Sequence, residues 1–225
     1  AFSFHLSKIA ELTGPEFGTA IAKFEAIEEL LSKVASYAQL YQSVDVSDSV
    51  RGRFYQDMTE RLTKLCGRLL FFTLEINRLD DGVLKTMMEH EGAAKYAPWV
   101  RDLRIMREHE LSDDLERLFL DKSNTGRTAW TRLFDETLAD MRCEVGNENL
   151  TLTEAINRLS DPKEERRRIA AKAIGDSLSK KTSLFTLITN VLAKDKAVED
   201  EWRKFPRPVS SRNLANLVED EVIEA

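Results

Sequence analysis

The stretch TGRTAWTRLFDETLADMRCEVGNENLTLT, residues 125–153, decides the fold. Its first half sets Trp130, Leu133, Phe134, Leu138 and Met141 at helical spacing, one apolar face of an amphipathic helix. From Met141 the period changes to two: Met141, Cys143 and Val145 share one side, Arg142 and Glu144 the other. Gly146-Asn147-Glu148-Asn149 is turn chemistry, and Leu150-Thr151-Leu152 returns. The sequence thus predicts one small β-hairpin around 141–152 in an otherwise helical, mainly all-α chain.

Upstream, Phe2 to Leu12 reads as the tail of a helix closed by Thr13-Gly14, and Pro15 opens the next, capped by Thr13 or Gly14. Phe17, Ile21, Phe24, Ile27, Leu31, Val34, Ala38 and Tyr41 then form an apolar stripe close to heptad spacing. After the polar linker 42–49, a second helix capped by Ser47 or Asp48 carries Leu62, Leu65, Leu69, Phe72, Ile76 and Leu79 on one seam. Two such helices joined by a short linker predict a long antiparallel helical hairpin. Shorter helices follow, started by Asp80/Asp81, Pro98 and Ser112.

Downstream, Thr153 is the expected cap of a short helix. Asp161-Pro162 starts another, in which Glu164 is set to pair with Arg168. Leu184 to Trp202 is apolar almost all round in its first half, the pattern of a buried helix. Phe205-Pro206-Arg207-Pro208 breaks it, and Ser210 caps a last helical segment. The expected organisation is a helical-hairpin region over 1–110 and a helical lobe with the β-hairpin over 111–183, followed by a further segment over 184–225. Residue 1 is not Met and the last helical pattern has no terminator, so the sequence reads as a fragment of a longer protein.

The 225 residues carry a net charge of −6, with a pI near 5.3, which argues against nucleic-acid or anionic-membrane partners. No apolar run approaches the ~20 residues of a membrane span. Cys66 and Cys143 show neither CxxC spacing nor a disulfide pattern, and cytoplasm is the expected compartment.

The candidate chemistry is sparse. His109-Glu110-Leu111-Ser112-Asp113 falls short of H-E-x-x-H because Asp stands where the second imidazole belongs. His90-Glu91-Gly92 lacks a second ligand, and His5 stands alone. Both thiols read as buried and inert, and Arg166-Arg167-Arg168, preceded by Glu164-Glu165, as a solvated helix face. Arg127 and Trp130, a cation and an aromatic one turn apart, could floor a peptide groove, against the commoner roles of surface cation and core indole. The residues alone give no catalytic and no metal-binding set.

Four segments, LTGPEFGTAIAKFEAIEELLSKVASYAQLY (12–41), LLFFTLEINRLDD (69–81), TGRTAWTRLFDETLADMRCEV (125–145) and LFTLITNVLAKDKAVEDEWR (184–203), resemble the N-terminal part of oligoendopeptidase F. That family of zinc metallopeptidases is related to thimet oligopeptidase. The resemblance implies an all-helical lobe walling a deep channel that admits short peptides, with 184–225 as the truncated start of a catalytic domain. It implies zinc in the complete enzyme, held by downstream residues, and none bound by this chain, which alone should be inactive. The implied partners are short peptides and the missing catalytic domain. The alternative from the residues themselves is a free-standing helical adaptor whose hairpin binds a partner helix.

Overall fold

The computed structural model describes Phe2 and residues 6–224. The chain is mainly α-helical, and its described residues form a single two-stranded antiparallel sheet. The first helices are α1 (Gly14–Ser43), α2 (Ser49–Cys66), α3 (Leu70–Arg78), α4 (Asp81–Met88), α5 (Glu91–Ala94) and α6 (Ala97–Ile105). Then come α7 (Asp113–Ser123) and α8 (Arg127–Asp140), the hairpin strands β1 (Arg142–Val145) and β2 (Glu148–Thr151), and α9 (Leu152–Asn157). The chain continues through α10 (Glu164–Ser179), α11 (Thr182–Trp202), α12 (Ser210–Ala215) and α13 (Asp220–Glu224). It packs as two units: residues 1–39, 56–122 and 196–225 form one, residues 40–55 and 123–195 the other.

Local chemistry explains most starts. Thr13 and Glu16 form the entry to α1, where the Thr13 amide (2.9 Å) and hydroxyl (2.7 Å) both donate to Glu16 Oε2. Asp48 Oδ1 accepts from Val50 N at 2.8 Å and Asp80 Oδ1 from Gly82 N at 2.8 Å, capping α2 and α4 as their positions imply. Ahead of α1, however, Ile9–Glu11 is only a 3₁₀ turn and not the end of an α-helix.

The first unit builds its interior from rings and branched chains. Phe17 and Ile21 of α1, Phe72 and Ile76 of α3, and Ile9 are buried together with Met87, Ala93 and Val100. Phe24 lies 4.9 Å from Phe72, ring centroid to centroid, and Phe2 meets Phe72 edge-on at 5.1 Å. Gly18 lets α1 come against α5 backbone to backbone, since a Cβ there would lie 2.6 Å from the Gly92 carbonyl carbon. The seam expected to run unbroken to Leu79 is interrupted. Arg68 N bonds to Leu65 O (3.0 Å) and Leu69 N to Cys66 O (2.8 Å), a tightened turn that separates α2 from α3. Arg117 Nη1 takes the Gly67 carbonyl oxygen at 3.2 Å, drawing it out of the helical pattern. The stripe on α1 is buried only near its start and at Ala38. Val34 is 44 % exposed and Leu65 of α2 is 43 % exposed, so apolar spacing there does not produce a closed seam.

In the second unit the chain reverses between α1 and α2: Tyr41 meets Phe54 edge-on at 5.4 Å, and Arg51 Nη1 donates to the Tyr41 carbonyl oxygen at 2.8 Å. The hairpin pairs Cys143 with Leu150 and Val145 with Glu148. Its turn is Gly146-Asn147 alone, with Gly146 at φ +65°, the left-handed first position of a type II′ turn. Met141 and Cys143 are buried and Arg142 and Glu144 exposed, as the period of two requires. Cys143 packs with Ala155 of α9 and Ala173 of α10. Ser177 Oγ of α10 donates to the Arg142 carbonyl oxygen at 3.0 Å.

Several boundaries depart from the sequence reading. Thr151, not Thr153, caps α9: it accepts from Glu154 N while its own amide donates to Glu154 Oε2 at 2.8 Å, a full capping box that ends β2 early. Arg168 pairs with Glu165 at 2.6 Å rather than with Glu164, the i,i+3 neighbour having the better reach. Among the described residues of α11 only Ile188 is buried, and Leu187 is 52 % exposed, so the helix is not a buried one; the described residues cover one side of it. The last segment is two helices because Leu217 adopts φ +53° after α12. Among the described residues no helix is long and apolar enough to cross a membrane.

Candidate functional site

Arg127 and Trp130 occupy the first turn of α8, in the second unit. Gly126 precedes them and supplies no side-chain cap. Arg127 is exposed and makes no ion pair among the described residues, while the Trp130 indole is half-buried. Farther along, Arg132 Nε donates to Glu136 Oε1 at 2.6 Å and Phe134 meets Phe185 of α11 edge-on at 5.4 Å. The helix is therefore fixed by its later turns, and its start presents a guanidinium beside an indole. Such a pair can hold a carboxylate or a peptide amide and stack against an apolar side chain.

The histidines are engaged elsewhere. His90 Nδ1 accepts from Gly92 N at 3.1 Å and caps α5. His109 Nδ1 lies 2.8 Å from the Arg203 carbonyl oxygen, to which it must donate, and its ring stacks on Phe205 at 4.0 Å. Asp113, the residue at the position of a second zinc ligand, pairs with Arg78 instead. His5 lies outside the described residues. Among the described residues no three His, Cys, Asp or Glu side chains converge, so the residues present do not fit a zinc ion.

Cys143 is fully buried. Cys66 is partly buried; burial, with the Glu28 carboxylate adding to it, pushes its thiol up, away from thiolate chemistry. The Arg166–Arg168 run is taken up locally: Arg167 Nη1 donates to the Asp161 carbonyl oxygen at 2.9 Å, Arg166 pairs with Asp161 and Arg168 with Glu165. A groove of about 370 Å³ beside the hairpin turn holds Arg158 and Arg166, each matched by an acid, Glu148 and Asp161.

The densest polar cluster is in the first unit, and the sequence does not announce it. Arg203, just past α11, grips Glu116 of α7 with two nitrogens at 2.7 and 2.9 Å, and its Nε donates to Glu199 at 2.8 Å. Its Nη1 also donates to the His109 carbonyl oxygen at 3.2 Å, so His109 and Arg203 are bound to each other reciprocally. Burial alone would raise the Glu116 carboxyl, but the Arg203 guanidinium and the Leu111 amide hold it below its ordinary range. The same charges push Arg203 upward. These partners lie 87 positions apart, and no periodicity links them; the one hint is a charged pair, Glu201 and Arg203, flanking the half-exposed Trp202.

Residues 75–142, from the end of α3 to the first residue of β1, match the family model described as oligopeptidase F, N-terminal part. The backbone superposes on the crystal structure of oligoendopeptidase-F from Enterococcus faecium with a TM-score of 0.83, at 17 % identity, over 99 % of this chain. This chain is similar to the N-terminal region of an oligoendopeptidase F-like protein. At that identity the superposition speaks for the fold, and the chain spans 47 % of the length of the oligoendopeptidase-F it matches. No curated protein sequence matches it. The matched family segment contains Arg127 and Trp130 as well as Glu110 and Glu116.

Proposed function

We propose that this chain is the N-terminal, non-catalytic part of an oligopeptide-cleaving zinc metalloendopeptidase and forms a wall of its substrate channel. The observation that carries this reading is the match of 99 % of the chain to about half of an oligoendopeptidase-F. The family match over 75–142 supports it at the level of sequence. In this reading residues 184–225 lead into the catalytic domain. The zinc ligands belong to that downstream part, as the resemblance to the family implies. Short peptides are the substrates and cytoplasm the site of action.

Within this reading Arg127 and Trp130 face the channel and contact the peptide away from the scissile bond. Contacts made equally in ground state and transition state lower KM without changing kcat. The test uses the complete natural reading frame, which should continue for several hundred residues and include H-E-x-x-H. Arg127→Ala and Trp130→Ala in that full-length enzyme should each raise KM for a quenched-fluorescent oligopeptide several-fold and leave kcat near wild type. A reading frame that ends near Ala225, or stoichiometric zinc and chelator-sensitive hydrolysis by the 225-residue chain alone, overturns the proposal.

A further inference from the structure

One contact in the first unit has an acceptor too many. Asn77 of α3 is fully buried. Its amide nitrogen donates to Glu110 Oε1 and, at 3.4 Å, to the Leu103 carbonyl oxygen, while its Oδ1 is buried and receives no hydrogen bond. As a carboxylate, Glu110 brings two acceptor oxygens and no donor. Turning the Asn77 amide over does not help, because its oxygen would then face the carboxylate. A buried acceptor left unpaired beside an acid costs as much as a lost hydrogen bond, and a single proton removes the mismatch.

We propose that Glu110, when protonated in the folded chain, donates to Asn77 Oδ1 and closes a paired acid–amide contact that fastens the segment around Glu110 onto α3. The other side chains near this contact are already committed. Arg78 of α3 is held by Asp113, with Glu75 one turn back bonded to the Ser7 amide. Arg203 is held by Glu116 and Glu199, and His109 by the Arg203 carbonyl oxygen. Arg104 of α6 is spent on the carbonyl oxygens of Ile76 and Leu79 and on Asp81, to which Arg107 also reaches. Glu116 adds a like charge facing Glu110. Burial, together with the Glu116 charge, pushes the Glu110 carboxyl up despite the Asn77 amide and the two guanidiniums, which bring it down. A carboxyl raised on folding stabilises fully below its unfolded pKa, and that contribution is lost as pH rises through the folded value. The contact is therefore a latch that loosens towards alkaline pH.

The test compares the full 225-residue chain with Glu110→Gln, whose amide can both donate to and accept from Asn77. At about pH 8 the variant should melt roughly 2–4 °C above wild type, the gap closing as pH falls through the titration of the wild-type carboxyl. A gap that does not change with pH, or a variant less stable than wild type at about pH 8, overturns the proposal, because the carboxylate would then serve the arginines. A ¹³C titration of the Glu110 carboxyl in the wild-type chain reads the same point without a mutation. Its midpoint should lie above that of an unperturbed glutamate, and a midpoint at or below that value sinks the latch.

Discussion

The first unit fills its interior with Phe17, Phe72, Ile21 and Ile76, each at 2 % exposure or less, whereas the second closes on Cys143, Ala155 and Ala173. Large side chains make the first interior a matter of apolar area, about 1.5–3 kcal/mol for each fully buried one. That second cluster is ringed by the half-buried Val145, Leu150, Leu152 and Ile174, with Met141 and Ile188 also buried in the unit, and directional bonds add to it: the hairpin ladder, the Thr151–Glu154 capping box and the bond from Ser177 to the Arg142 carbonyl oxygen. Two kinds of interior in one chain should fail in different ways.

The largest expected effect tests the ring-filled interior. Phe72→Ala removes a ring that touches Phe2, Phe24 and Phe71, and should cost about 3–5 kcal/mol in urea unfolding. Hydrogen exchange should speed up first in α1, α3 and α6. Equal loss of protection in the Arg142–Val145 amides would mean that the two interiors unfold as one block.

A smaller effect belongs to the ion cluster at the edge of the first interior. Glu116→Gln should cost about 1.5–3 kcal/mol near neutral pH, the range for hydrogen bonds to charged groups. The Glu116 carboxyl is lowered on folding, so its contribution is present above the unfolded pKa and disappears as pH falls through the folded one. Melting curves of wild type and variant should converge in acid. A constant gap between them would assign the loss to packing rather than to charge.

The smallest effect tests the second interior. Thr151→Ala removes the cap of α9 and should cost about 1 kcal/mol, read as a lower melting temperature with exchange quickened at β2 and α9 only. No change would mean that the hairpin ladder alone holds the unit.

How much of this was legible in the sequence follows from how local each signal is. The change of period at Met141, the cap at Asp48 (one of two residues the sequence offered), the cap at Asp80 and the break at Phe205-Pro206 are short-range, and each appears where the residues placed it. The interruption after Cys66 falls at Gly67, a local breaker that the apolar seam masked; the bond that its carbonyl oxygen accepts from Arg117, 50 positions away, was not readable. The all-round apolar first half of α11 predicted a buried helix, yet among its described residues only Ile188 is buried and Leu187 stands exposed. Arg127 and Trp130 were readable as a pair one turn apart, and they stand at the exposed start of α8. The Arg203–Glu116 grip and the Asn77–Glu110 contact were not readable, since each joins residues that only the tertiary fold brings together.

The end of α11 shows what that dependence means. Lys204 takes φ +58°, a conformation usually left to glycine, and Phe205 N bonds back to the Asp200 carbonyl oxygen at 2.9 Å. The Phe205 ring then lies on His109, a residue almost a hundred positions earlier. The helix thus takes its stopping point from a distant imidazole as well as from the prolines that follow. A lysine kept in a shape it resists marks the spot where an early and a late portion of the chain lie ring against ring.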